Sequence, residues 1–150
     1  MSVELSYGIF LFKSGEGATV EFETAKESNA SIQITSDAIT TNFTSDINYQ
    51  ITCITPKIDL TEFTQLSVIA NCKAVGPETD YKGILGVFAK TATATALSHA
   101  KNSDAMVIAK TYFTVKNGKF DLDITDINGE YKVGIKGGLK STISEIRLRR

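Results

Sequence analysis

Leu66-Ser67-Val68-Ile69-Ala70-Asn71-Cys72-Lys73-Ala74 is the stretch that decides the fold. Leu66, Val68, Ala70 and Cys72 fall on one parity, and Ser67, Asn71 and Lys73 on the other. Successive side chains of a strand point to opposite faces, so this alternation puts one face in a core and the other toward water. A helix would scatter the same residues around its circumference.

The period of two continues on both sides. Upstream it recurs at 18–23, at 31–35 and at 49–54, where Pro56 follows and pushes the preceding residue extended. Downstream, Gly76-Pro77-Glu78-Thr79-Asp80 reads as a turn, followed by strands over 82–90 and about 106–115. Asn117-Gly118 is the strongest hairpin signal and predicts a turn joining Val115 to Phe120. Asn128-Gly129 and Gly137-Gly138 set off strands over 131–136 and 142–148. The stretch 91–104 is rich in alanine, but threonine at every second position favours a loop. These signals predict an all-β, antiparallel β-sandwich of the jelly-roll kind, roughly nine or ten strands in one domain spanning 1–150.

Composition agrees. The 150 residues include 18 threonines and 16 isoleucines, both β-branched and stiff at χ1, against two prolines. The formal net charge of −1 gives no global field toward nucleic acid or an acidic membrane, and neither is expected as a partner. No apolar run reaches the roughly 18 residues of a membrane span. The start Met1-Ser2-Val3-Glu4 has no basic, apolar leader, so synthesis in the cytoplasm is expected. Cys53 and Cys72, the two cysteines, are then expected as buried thiols. Asn29-Ala30-Ser31 and Asn42-Phe43-Thr44 match a glycosylation sequon, as a chain rich in Ser and Thr does by chance.

Residues able to do chemistry are few. His99 is the single histidine and sits in the threonine–alanine stretch. One histidine and two separated cysteines fall short of the about four ligands of a zinc site. The glycines lack the lysine and helix of a phosphate-binding loop. Asp121, Asp123, Asp126 and Asn128 miss the oxygen spacing of a calcium loop, and read as a strand edge whose turn is capped by Asp126 and Asn128. No cofactor, metal site or catalytic residue is expected, and no enzymatic activity.

A binding face is the alternative to chemistry. Parity puts Val107, Ala109, Phe113 and Val115 inward, and Lys110 and Tyr112 outward. The same argument puts Lys82, Ile84, Phe88 and Lys90 on one face of their strand. It turns Lys132 and Lys136 away from Val133, Ile135 and the in-phase Tyr131. If the three strands share a sheet, Phe88, Lys110, Tyr112, Lys132 and Lys136 form a cationic, partly aromatic outer face suited to an anionic glycopolymer. Outward lysines also serve plain solubility and edge protection.

Three groups of segments resemble a known family: Tyr7-Gly8-Ile9-Phe10-Leu11-Phe12-Lys13-Ser14-Gly15; Thr55-Pro56-Lys57-Ile58-Asp59-Leu60-Thr61 with the strand after it; and Phe120-Asp121-Leu122-Asp123-Ile124-Thr125-Asp126 with the two strands after it. They are similar to jelly-roll, carbohydrate-binding-module-like domains of tail and baseplate proteins from phages of Gram-positive bacteria. The resemblance implies a non-catalytic, virion-associated module for host attachment, with no leader because virions assemble in the host cytoplasm. The implied partners are a cell-wall polysaccharide or teichoic-acid-like polymer and other virion proteins. Several copies, as in a homo-oligomer, would supply avidity. A purely structural virion domain and an accessory module of a glycoside-acting enzyme are the other roles open to such a fold. The family's usual tryptophan platform is absent, so no binding residue transfers by motif.

Overall fold

A computed structural model describes residues 8–26, 30–43, 51–73, 83–98, 104–137 and 140–150. In these residues thirteen strands run in the order β1 (Ile9–Lys13), β2 (Gly17–Ala18), β3 (Glu23–Lys26), β4 (Ala30–Ile34), β5 (Ile39–Phe43), β6 (Ile51–Ile54), β7 (Ile58–Asp59), β8 (Gln65–Cys72), β9 (Ile84–Phe88), β10 (Val107–Tyr112), β11 (Asn117–Asp123), β12 (Glu130–Gly137) and β13 (Ser141–Arg149). One short helix, α1 (Ala94–Ser98), and a 3-10 turn at Asp104–Met106 lie between β9 and β10. The excess over nine or ten strands comes partly from β2 and β7, two-residue pairings too short to leave a periodic signal.

Every pairing is antiparallel, in two sheets stacked as a sandwich. The first sheet runs β11-β8-β13-β1-β2, with β5 also on β13 and β4 on β5. The second runs β10-β9-β12-β6-β3, with β7 on β12. Chain order from β8 to β13 switches repeatedly between the sheets, as a jelly roll requires.

Between them lies the main core. Leu66, Val68, Ala70 and Cys72 point into it from β8. They meet Leu85 and Val87 of β9, Val133 and Ile135 of β12, and Ile143, Ile146 and Leu148 of β13. Each fully buried Leu, Ile or Val contributes about 1.5–3 kcal/mol through removal of apolar surface from water. The rings of Phe113 and Phe120 meet edge to face, 4.8 Å between centroids and 67° between planes. Both cysteines are buried, as the alternation along their strands predicts, and both are free thiols.

Three expectations are corrected. Asn117-Gly118 is not a hairpin tip. Both residues belong to β11, opposite Asn71 and Ala70, and the chain between β10 and β11 passes from one sheet to the other. Val115 lies in that crossing, 47% exposed, and not on a core face. The stretch 91–98 is helical in part. Thr93 caps α1, its Oγ1 accepting from the Ala96 amide at 3.1 Å, and threonine is a favoured residue at a helix start.

Candidate functional site

The three strands of the predicted face do lie side by side, in the order β10-β9-β12. Lys110, Gly86 and Gly134 form one cross-strand row; Tyr112, Ile84 and Lys136 form another; Lys132 lies opposite Phe88. All five candidate residues therefore share the side turned away from Leu85, Val87, Val133 and Ile135.

Exposure is where the expectation fails. Helix α1 and the residues before it lie across β3, β6 and β12. Ala92, Ala94 and Leu97 pack on Ile54, Ile84 and Phe88 in a second apolar cluster. Phe88 is wholly buried in it and Lys136 is 9% exposed, so neither offers a ring or an ammonium group to a polymer. The Lys132 side chain is 15% exposed. Its Nζ donates to the Ala92 carbonyl at 2.7 Å and lies 3.4 Å from Glu23 Oε1. The other Glu23 oxygen accepts from the Ala94 amide, and Ser98 Oγ donates to Thr52 Oγ1 at 2.9 Å. A thin apolar stripe with three polar ties thus covers half of the face. Lys110 and Tyr112 stay exposed on β10, Tyr112 at 56%, with the Lys110 ammonium 5.1 Å from its ring centre.

Beside α1 the same sheet opens into a groove of about 300 Å³, lined by Glu21, Glu23, Pro56, Lys57, Lys90 and Lys132. Glu21 and Glu23 share one parity on and just before edge strand β3. Continuing the strand register by two residues brings Pro56 between Glu21 and Lys132. Three lysines against two glutamates leave one net positive charge. Glu23 and Lys132 are engaged with each other and with the helix segment, while Glu21, Lys57 and Lys90 are exposed. Of these residues sequence reasoning singled out Lys132 as a ligand contact and only placed Lys90 on the face. Glu21 and Lys57 carried no local motif and meet through strand pairing alone.

Neither cysteine is a ready nucleophile. Burial pushes the Cys53 thiol up to about 12 and the Cys72 thiol to about 11, the latter despite the nearby Lys116 charge. His99 lies outside the described residues. No group of three or more His, Cys, Asp and Glu able to hold a metal ion occurs among the described residues. In the Asp121–Asn128 run, Asp123 and not Asp126 makes the cap. Its Oδ1 accepts from the Thr125 amide at 2.9 Å and hydroxyl at 2.6 Å. Asp59 repeats the arrangement with Thr61, at 3.0 and 2.6 Å. These bonds hold both carboxyls below the usual aspartate range. No helix among the described residues is long and apolar enough to cross a membrane.

No family model matches the chain. No curated protein matches it either. Among solved structures it is similar to a low-affinity xylan-binding module, CBM86, from the xylanolytic gut symbiont Roseburia intestinalis. Identity is 8%, coverage is 87% of this chain and 95% of that one, and the TM-score is 0.49.

Proposed function

We propose that this domain is a non-catalytic module that binds an anionic, hydroxyl-bearing glycopolymer in the groove between β3, β6, β12 and the segment after β9. The observation that carries the reading is the groove's lining. Glu21 supplies an acceptor, Lys57 and Lys90 supply donors, and the net charge is positive. Sugar hydroxyls both donate and accept, so a mixed lining matches them, and the surplus lysine favours an acidic polymer. At about 300 Å³ and open to solvent, the groove sits at the small end of ligand sites, which favours weak binding made useful by several copies.

The same lining argues against catalysis. Glycoside hydrolysis ordinarily needs two carboxyls free to act, whereas both Glu23 oxygens are held by Lys132 and the Ala94 amide. The tail-module resemblance of the strand junctions supports placing the domain on a virion, where the polymer would be a host-wall glycan. A second reading, a domain that packs on other virion proteins, is favoured by Ile108 and Tyr112. They are 46% and 56% exposed on edge strand β10.

Affinity electrophoresis in gels containing polygalacturonate or host-wall polymer tests the proposal. Retardation should weaken as salt rises, because exposed charges are screened within about 10 Å at 0.1 M ionic strength. Lys57→Glu with Lys90→Glu should abolish it without moving the melting temperature. Retardation indifferent to salt and to both substitutions would sink the groove as the site.

A further inference from the structure

On the outward side of the first sheet, β5, β13, β8 and β11 lie adjacent, with no helix across them among the described residues. Their register puts Thr40, Thr142, Asn71 and Asn117 in one cross-strand row. One step along, the Lys73 amide donates to the Lys140 carbonyl at 2.9 Å, so the two lysines stand opposite one another. Asn42 lies at the same level of β5 when the register is continued by one residue. Beneath this surface Thr41 Oγ1 and Ser141 Oγ share a buried hydrogen bond of 2.7 Å, which ties β5 to β13 and holds the rows in place. Apart from Asn117, the residues of the two rows line a groove of about 130 Å³.

We propose that this groove is a second binding site, for an anionic polyol unit: a sugar or polyol bearing one carboxylate or phosphate. Lys73 and Lys140 both line the groove, so an anion seated there is attracted by both. Hydroxyl and amide groups of Thr40, Thr142 and Asn71 stand one row away, where the hydroxyls of the same unit would fall. These residues belong to the other sheet from the groove lined by Lys57 and Lys90, so two polymer chains can be held at once. A monomer with both sites would cross-link polymer. The proposal shares the ligand class of the proposed function but none of its residues.

Chemical-shift titration of ¹⁵N-labelled protein with tetragalacturonate, and separately with a glycerol-phosphate tetramer, tests it. At least one anion should shift the Thr40, Asn71 and Thr142 amides in a saturable way, while a neutral glucan tetramer should not. Lys73→Gln with Lys140→Gln should weaken those shifts about tenfold in affinity, leaving shifts around Lys57 and Lys90 unchanged. Thr142→Val, which keeps the strand and removes one hydroxyl, should weaken the same set. Shifts near Thr142 without any near Lys90 would support this site while removing the first groove. Shifts near Lys90 without any near Thr142, or shifts near Thr142 that survive the lysine substitutions, would overturn the second site alone.

Discussion

Lys132 donates from Nζ to the carbonyl oxygen of Ala92 over 2.7 Å, joining the middle strand of the second sheet to the segment that lies on it. The bond is charge-assisted and largely shielded from water, the setting in which such bonds contribute most. Lys132→Ala should therefore cost about 1–2 kcal/mol. Leu97→Ala, which empties the second cluster, should cost about 2–4 kcal/mol. Urea unfolding reads both, as a lower midpoint at unchanged slope. A midpoint unmoved by Leu97→Ala would mean that the helix does not pack on Phe88 in solution.

Gly134 and Gly118 should behave in opposite ways. A Cβ at Gly134 would collide with the Cys53 carbonyl, because β12 and β6 approach closely there and the residue has φ of +154°. Gly134→Ala should cost about 2–4 kcal/mol, since backbone and not a flexible side chain stands in the way. At Gly118 the nearest atom to a Cβ is the end of Lys116 at 4.0 Å. Gly118→Ala should be neutral or stabilise by up to about 1 kcal/mol through reduced freedom of the unfolded chain. Destabilisation by Gly118→Ala would contradict its place in a strand.

Asp59 and Asp123 should make the domain's stability sensitive to acid. The Thr61 and Thr125 hydroxyls and amides favour the ionised forms, so both folded pKa values lie below the ordinary 3.8. A carboxyl with a depressed folded pKa contributes stability above its unfolded pKa and loses it as pH falls through the folded one. Melting temperature should thus be flat above about pH 5 and fall increasingly below 3.8. Asp59→Asn with Asp123→Asn should flatten the acid limb. An acid limb unchanged in that variant would assign the sensitivity to other carboxylates.

What the sequence made legible follows from how local each signal is. Alternation along β8 or β12 is written in consecutive residues, so the core faces of Val68, Ala70, Val133 and Ile135 could be read directly. So could the shared side of Lys110, Tyr112, Phe88, Lys132 and Lys136, since register obeys the same parity. The cover over that side was hidden, because Ala92, Ala94 and Leu97 are too few for a helical period and threonine intervenes between them. Thr93 at a cap position before Ala-Thr-Ala-Leu was the available hint. The groove was hidden for another reason. Glu21, Pro56, Lys90 and Lys132 come from four separate segments, and strand order alone brings them together.

Tyr112→Ala tests whether the ligand proposed for the groove is one sugar or a chain. Tyr112 stands two strands from Lys132, and its cross-strand row passes through Lys136, four residues further along β12. At about 4.8 Å per strand and 3.3 Å per residue, the two backbones are roughly 16 Å apart. A ligand seated beside Lys90 and Lys57 reaches the ring only if it is several sugars long. Tyr112→Ala should then leave the affinity for an anionic disaccharide unchanged and weaken that for a long polymer several-fold. Stability should change by less than about 1 kcal/mol, because the ring is 56% exposed and its contact with Lys110 is a surface one. Combining Tyr112→Ala with Lys90→Glu should give additive losses for the polymer, as side chains this far apart do not touch each other. A disaccharide weakened by Tyr112→Ala would move the primary site onto β10. A polymer indifferent to it would leave the exposed Tyr112 and Ile108 to the protein-packing reading.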